Sequence, residues 1–344
     1  MFPQDDKSAV RVAIVGGGIS GMSTALCAIE DGVLNASQTT IIAEKVYSEI
    51  TSYIAAGLFR PDEDVAPDLD TAERWYRDTF ERWSDLEKLN IPHITGVKKL
   101  PGYSLSSFSA EATSNRVCDR IFPDIRSMTA DELKKFPRQY KYGVYHTTFV
   151  ADPQKYLPYL EDQLRQRGVR FLQYRVDDLA DLAERFDIVV NCSGLGAKHL
   201  AKDNRVVPIR GQVVKVRNKP EVTHFYYADD YYILPGVDWV TLGGTRNFAN
   251  SDLRVSKCDR ENILRGCQQI LPLLKANEEI ADMVGLRPYR SPVRVEAVKF
   301  PNSDSWLVHN YGHGGQGVNL SWGTAREATR LIRACLKNPL KSRL

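Results

Sequence analysis

The fold class the sequence predicts is α/β: a Rossmann-like domain assembled from discontinuous segments, interleaved with a second domain built on a mixed sheet. Three observations predict it. An apolar run breaks into a Gly-x-Gly-x-x-Gly turn at the start of the chain. Apolar runs ending in small-residue turns recur near residues 187 and 305, and alternating strand patterns lie between these two returns. At 344 residues the chain exceeds one ordinary domain of about 100–200 residues and suffices for two cores.

Taken in order, residues 10–15 form a buried-strand run that leads directly into Gly16-Gly17-Gly18-Ile19-Ser20-Gly21, with the motif glycines Gly16, Gly18 and Gly21. Residues 22–29 continue as helix, and residues 39–43 as a second strand ending at Glu44, near the interval of about 20 residues expected of a ribose-binding acid. In such a βαβ unit the glycines permit a tight turn and close backbone approach, the helix N-terminus stabilises a pyrophosphate, and the acid accepts from a ribose hydroxyl. Residues 50–58 are small and glycine-bearing, which suits backbone approach to a flat ring system. The nucleotide domain resumes at 187–194 and again at 305–311, where a strand enters a glycine loop at 312–317 and a helix over 318–336. Segments 206–216 and 231–244 alternate as strands of the second domain. The expected division is 1–60, 150–200 and 302–344 for the nucleotide domain, and 61–149 and 201–301 for the other.

Composition narrows the function. With 43% hydrophobic and 26% charged residues the chain reads as globular, and a net charge of +3 with scattered basic residues argues against nucleic acid as a partner. Residues 1–11 lack the apolar core of a secretory signal, and no stretch reaches the roughly 18 uninterrupted apolar residues that cross a bilayer, so a soluble intracellular protein is expected. The cysteines include no Cys-x-x-Cys pair and are expected to be buried or inert thiols. His309 and His313 are four apart, but the glycines around them mark a strand-to-loop transition, and no metal site is expected. Nor is there a Gly-x-Ser-x-Gly elbow or a P-loop lysine motif.

The Gly-x-Gly-x-x-Gly motif serves both NAD and FAD. In an NAD dehydrogenase the parallel units continue promptly; a nucleotide domain in three separated segments is characteristic of FAD oxidoreductases. The segments Ala55-Ala56-Gly57-Leu58, Asn191-Cys192-Ser193-Gly194, Arg210-Gly211-Gln212-Val213, Gly243-Gly244-Thr245-Arg246, Gly285-Leu286-Arg287-Pro288-Tyr289-Arg290 and His309-Asn310-Tyr311-Gly312-His313-Gly314-Gly315 together resemble the D-amino-acid oxidase and D-aspartate oxidase family. The resemblance runs from about residue 10 to the C-terminus. It implies FAD held by Gly16, Gly18, Ile19, Ser20, Gly21, Glu44, Lys45, Thr51, Ser52, Ala56, Gly57, Leu58, Val176, Ser193, Gly194, Gly314, Gly315, Gly317, Val318 and Asn319. Gln316 and Asn319 depart from the Tyr and Thr of neutral D-amino-acid oxidases.

The resemblance further implies oxidative deamination by O2 of acidic D-amino acids (D-aspartate, D-glutamate, N-methyl-D-aspartate), with no protein base. Arg287 is the expected fork for the substrate α-carboxylate. Tyr232 matches the family tyrosine that also contacts it, with Tyr231 as the competing assignment, since a strand points only one of two neighbours at a ligand. Arg246 matches the arginine that selects an acidic side chain; inside a largely apolar pocket it would leave a neutral substrate facing an unpaired buried charge. The stretch 225–231 is read as a shortened loop in which the additional lid arginine of vertebrate D-aspartate oxidases is replaced near Tyr226 and Tyr227. Ser342, Arg343 and Leu344 resemble the tripeptide read by the peroxisomal import receptor, so the peroxisomal matrix is the expected location. An oxidase of neutral D-amino acids is the alternative within the enzyme class; an idle flavin-binding protein and an NAD dehydrogenase are the readings outside it.

Overall fold

The computed structural model describes residues 10–276, 280–301 and 303–337; the Ser342-Arg343-Leu344 end lies outside the described residues. The strands are β1 Val12–Val15, β2 Thr39–Ala43, β3 Val97–Ser106, β4 Arg126–Ser127, β5 Tyr142–Ala151, β6 Arg170–Gln173, β7 Ile188–Asn191, β8 Val207–Arg217, β9 Phe225–Ala228, β10 Tyr231–Pro235, β11 Trp239–Gly243, β12 Asn247–Phe248, β13 Ile280–Lys299 and β14 Trp306–His313. Among the described residues they form one mixed sheet in the order β4-β5-β3-β9-β10-β11-β8-β13-β14-β7-β1-β2-β6, with β12 on β8. The fold is thus α/β with a large mixed sheet.

Its two ends differ in kind. β6, β2, β1, β7 and β14 are mutually parallel, and β1 is buried along its whole length, as a strand covered on both faces should be. Helices Ile19–Glu30 and Ser321–Lys337 pack together on this end through Ala25, Leu26, Ala28, Ala325, Ala328 and Ile332, all fully buried in one core. Helix Leu69–Lys88, capped by the Asp68 carboxylate accepting from the Thr71 amide, lays Trp75, Tyr76 and Trp83 into the same core. Toward the other end β8 to β11 pair antiparallel, and β13 joins the two halves by running antiparallel to both β8 and β14.

Several local expectations change. The stretch 225–231 is not a loop: β9 and β10 form a hairpin closed by Asp229 and Asp230, with Tyr231 opposite Ala228. The C-terminal helix begins at Ser321, after a 3-10 turn over Gly314–Gln316. Five cysteines are buried, but Cys258 is exposed at the start of helix Lys257–Ile270.

Arg210 fastens β8 to the segment before that helix. Its buried guanidinium donates to the carbonyls of Asp252 and Arg254, both at 2.8 Å, to Gln212 Oε1 at 3.1 Å and to the Asp259 carboxylate at 2.9 Å. Arg210→Ala removes the donor from the Asp252 and Arg254 carbonyls and from the Asp259 carboxylate, while Gln212 Oε1 keeps the Ser256 amide at 2.9 Å, and an uncompensated buried partner costs about 3–5 kcal/mol. A urea unfolding midpoint unchanged by Arg210→Ala would contradict this assignment.

Candidate active site

A cavity of about 780 Å³ starts at the carboxyl ends of β1, β2 and β7 and reaches the seam of β8, β10 and β13. Carboxyl ends of parallel strands are where open α/β sheets bind ligands. At this end the helix Ile19–Glu30 has Gly18 as N-cap and no acidic residue in its first turn, and only the Ile19 amide meets a side chain, donating to Ser52 Oγ at 3.2 Å. Its amide dipole is therefore left for an anion. Glu44 and Lys45 line the wall at the end of β2, Glu44 lying 3.6 Å from Arg175. Val176 lines the same wall, and Ser193 closes the turn after β7 by giving its amide (3.2 Å) and hydroxyl (2.6 Å) to Asn191 Oδ1. Small backbone-forward residues, an open helix terminus and an acid at the second strand's end fit a dinucleotide with its pyrophosphate on Gly16–Ser20.

Thr51, Ser52, Ala56, Gly57 and Leu58 line the cavity together with Gly314, Gly315, Gly317, Val318 and Asn319. Thr51 is held by its hydroxyl donating 2.7 Å to the Leu286 carbonyl. Of the residues expected to hold the cofactor, only Gly21 does not line the cavity. A β-carbon there would stand 2.0 Å from the Gly16 carbonyl oxygen, so Gly21 serves the packing of helix on strand.

The two histidines four apart engage separate partners. His313 Nε2 lies 3.1 Å from Thr324 Oγ1 and Nδ1 3.5 Å from Ser20 Oγ, while His309 Nδ1 lies 3.3 Å from Asn191. Burial pushes both imidazoles down to about 4, so both are neutral at pH 7. Among the described residues no group of three His, Cys, Asp or Glu side chains is placed to hold a metal ion.

At the far end Arg287 projects from β13, one pair beyond the Gly285–Gly211 and Leu286–Arg210 register with β8. Its Nη1 donates to the Thr245 carbonyl at 3.0 Å, and Thr245 is itself fixed by accepting from the Gln212 amide at 2.8 Å. The guanidinium passes so close over β8 that a β-carbon on Gly211 would stand 2.2 Å from Nη1. Tyr232 lines the cavity opposite Gly243, where a β-carbon would strike its ring at 1.9 Å. Burial raises the Tyr232 phenol, and the neighbouring Arg287 charge and hydrogen bond partly oppose this, so the hydroxyl remains a donor. Tyr231 faces the other way, packing on Gly266 and donating to Asn262 at 3.2 Å.

Arg246 lines the same cavity, but its place differs from the expected one. It is exposed at the rim and, among the described residues, makes no hydrogen bond or ion pair. A solvated guanidinium imposes little penalty on a neutral substrate, so any selectivity from Arg246 must come from attraction.

Two further residues join the site although neither was among the expected substrate-binding residues. Tyr227, on β9, stacks within 8° of parallel on Tyr232 at 6.2 Å between ring centres, and the Arg60 guanidinium sits 4.2 Å over the Tyr227 ring. Alternation along an extended segment was the available signal for Arg60: Leu58 and Arg60 line the cavity while Phe59 between them is fully buried in the core.

The chain is similar to known proteins along nearly its whole length. The profile of the DAO family, described as FAD dependent oxidoreductase, matches residues 11–331. The chain is 37% identical over 330 residues to D-aspartate oxidase of Homo sapiens, covering 95% of each chain. It is 32% identical over 343 residues to D-amino acid oxidase of Dugesia ryukyuensis, covering 97% of this chain and 100% of that one. Among solved structures, glycine oxidase from Bacillus cereus ATCC 14579 superposes with a TM-score of 0.75 at 21% identity, over 94% of this chain and 97% of that one, a likeness of fold. With a cavity whose residues fit a dinucleotide and a profile match over nearly its whole length, the chain belongs to the DAO family of FAD-dependent oxidoreductases, and its cofactor is FAD.

Proposed function

We propose that this enzyme oxidises D-amino acids with acidic side chains: D-aspartate, D-glutamate and N-methyl-D-aspartate. The observation that carries the reading is the placement of Arg287 and Arg246 on one cavity wall, joined through Thr245, beside the Tyr232 hydroxyl. Arg287 offers a planar fork for the α-carboxylate, and Tyr232 a hydroxyl that fixes the same group. Arg246 reaches the rim, where the second carboxylate of an acidic substrate would lie. Ile54, Leu58, Val213 and Leu234 make the adjoining walls apolar and keep water from the reacting carbon. When bound along Gly16–Ser20, FAD would supply the two-electron acceptor for the hydride lost from Cα, with O2 as the terminal oxidant and hydrogen peroxide as its product. The amine reacts as its free base; the resulting imino acid is hydrolysed by water to a 2-oxo acid and ammonium.

Relatives named D-aspartate oxidase and D-amino acid oxidase both match, and the exposure of Arg246 favours the second reading, an oxidase of neutral D-amino acids. The deciding assay is peroxide release by the FAD-supplemented enzyme on D-aspartate, D-glutamate, D-alanine and L-aspartate at equal concentrations. The acidic D-forms are expected to dominate. Arg246→Leu should lower kcat/KM on them about 10- to 100-fold, the worth of a charge-assisted hydrogen bond, and spare D-alanine. A wild-type preference for D-alanine would overturn the acidic reading.

A further inference from the structure

We infer that Arg60 is a second specificity-determining residue that binds the side-chain carboxylate of the substrate, opposite Arg246; this rests on the acidic-substrate reading above. The substrate end of the cavity is lined by one continuous run of groups. Arg287 meets Tyr232, Tyr232 stacks on Tyr227, and the Arg60 guanidinium lies 4.2 Å over the Tyr227 ring. Arg60 comes from a segment remote in sequence from β9 and brings a cation to the cavity beside Tyr227.

The charge on Arg60 is otherwise unmatched. Several arginines of the fold hold carboxylates: Arg210 with Asp259 at 2.9 Å, Arg290 with Asp203 at 2.7 Å and Arg326 with Asp78 at 2.7 Å. Among the described residues Arg60, Arg246 and Arg287, all on the cavity wall, have no such partner. The Arg60 side chain donates only to the Ala112 carbonyl, at a long 3.4 Å. Asp62 borders the same cavity but is exposed and forms no ion pair with it. His146 nearby is neutral, because burial holds its imidazole down to about 4. A half-buried guanidinium with an aromatic face beneath it and one weak acceptor is short of an anion.

The backbone of Arg60 is tied to the cofactor loop by Asn319 and Gln316. Asn319 Nδ2 lies 3.4 Å from the Arg60 carbonyl and donates to Gln316 Oε1 at 2.7 Å. An acidic D-amino acid brings two carboxylates. Arg287 takes the first, and the second lies between Arg60 and Arg246; a neutral substrate leaves both cations to solvent.

The test uses the FAD-loaded enzyme with Arg60→Gln and Arg60→Lys. Arg60→Gln should lower kcat/KM on D-aspartate and D-glutamate about 10-fold or more, mainly through KM, with D-alanine turnover unchanged. Arg60→Lys should recover part of the loss, since it restores the charge without the fork. Succinate binding, followed by the visible flavin absorbance, should weaken in parallel while propionate binding holds. Equal losses on D-aspartate and D-alanine would mean that Arg60 merely props Tyr227, and unchanged D-aspartate kinetics would mean that it faces no carboxylate; either result overturns the inference while wild-type acidic preference stands. A wild-type preference for D-alanine would overturn the acidic reading, and this inference with it.

Discussion

Arg287→Ala is expected to lower kcat/KM on every D-amino acid by about 30- to 5,000-fold, corresponding to the 2–5 kcal/mol lost when a desolvated charge pair is truncated. The loss should be general, because the α-carboxylate is common to all substrates. Arg287→Lys should recover little, since an ammonium lacks the fork that accepts two carboxylate oxygens. Flavin content and the unfolding midpoint should hold near wild-type values: the guanidinium is tied to the fold by the Thr245 carbonyl at 3.0 Å and by a marginal 3.5 Å contact with the Arg210 carbonyl. Loss confined to acidic substrates would instead place Arg287 on the side-chain carboxylate.

Gly211→Ala should be nearly as damaging, although residue 211 bears no functional group. A β-carbon at this position would overlap the Arg287 guanidinium, with Nη1 at 2.2 Å and Nη2 at 2.5 Å. These atoms are the far end of a flexible side chain, so the fold survives by swinging the guanidinium aside, and what is displaced is the substrate anchor. The expected loss in kcat/KM lies within about tenfold of that for Arg287→Ala, and the two losses should not add in the double variant, because both act on one contact. Steady-state kinetics on D-aspartate with the two single variants and the double check this; additive losses would show that Gly211 acts elsewhere.

The two halves of the site differed in how far they could be read from the sequence, and chain separation explains why. At the nucleotide end, strand, glycine turn, helix and second strand follow one another within residues 10–44, so local patterns suffice to place Gly16, Gly18, Ser20 and Glu44. Even there Gly21 turned out to pack rather than to face the cavity, a distinction that depends on where helix meets strand. The substrate end is assembled from β8, β10, β11 and β13, and their pairing across long separations has no local signature. β13 in particular carries Pro288 and Pro292, which interrupt its pattern although it spans both halves of the sheet.

Some missed features did have a signal. Alternation already implied that only one of Tyr231 and Tyr232 faces the ligand, and the same rule applied one motif earlier would have placed Arg60 beside Leu58. The hairpin of β9 and β10 was announced by Asp229-Asp230 between aromatic, strand-prone neighbours. The exposure of Arg246 had none, since it follows from the path the chain takes on leaving β11.

The central claim, that this family member takes acidic D-amino acids, is tested most directly by anaerobic reduction of the FAD-loaded enzyme, because the visible flavin absorbance then reports substrate oxidation without the oxygen step. Rapid bleaching by D-aspartate and D-glutamate, slow bleaching by D-alanine and none by L-aspartate is the predicted result. Bleaching by D-alanine as fast as by D-aspartate would contradict it, leaving Arg246 and Arg60 as solvated charges at the rim of an oxidase for neutral substrates.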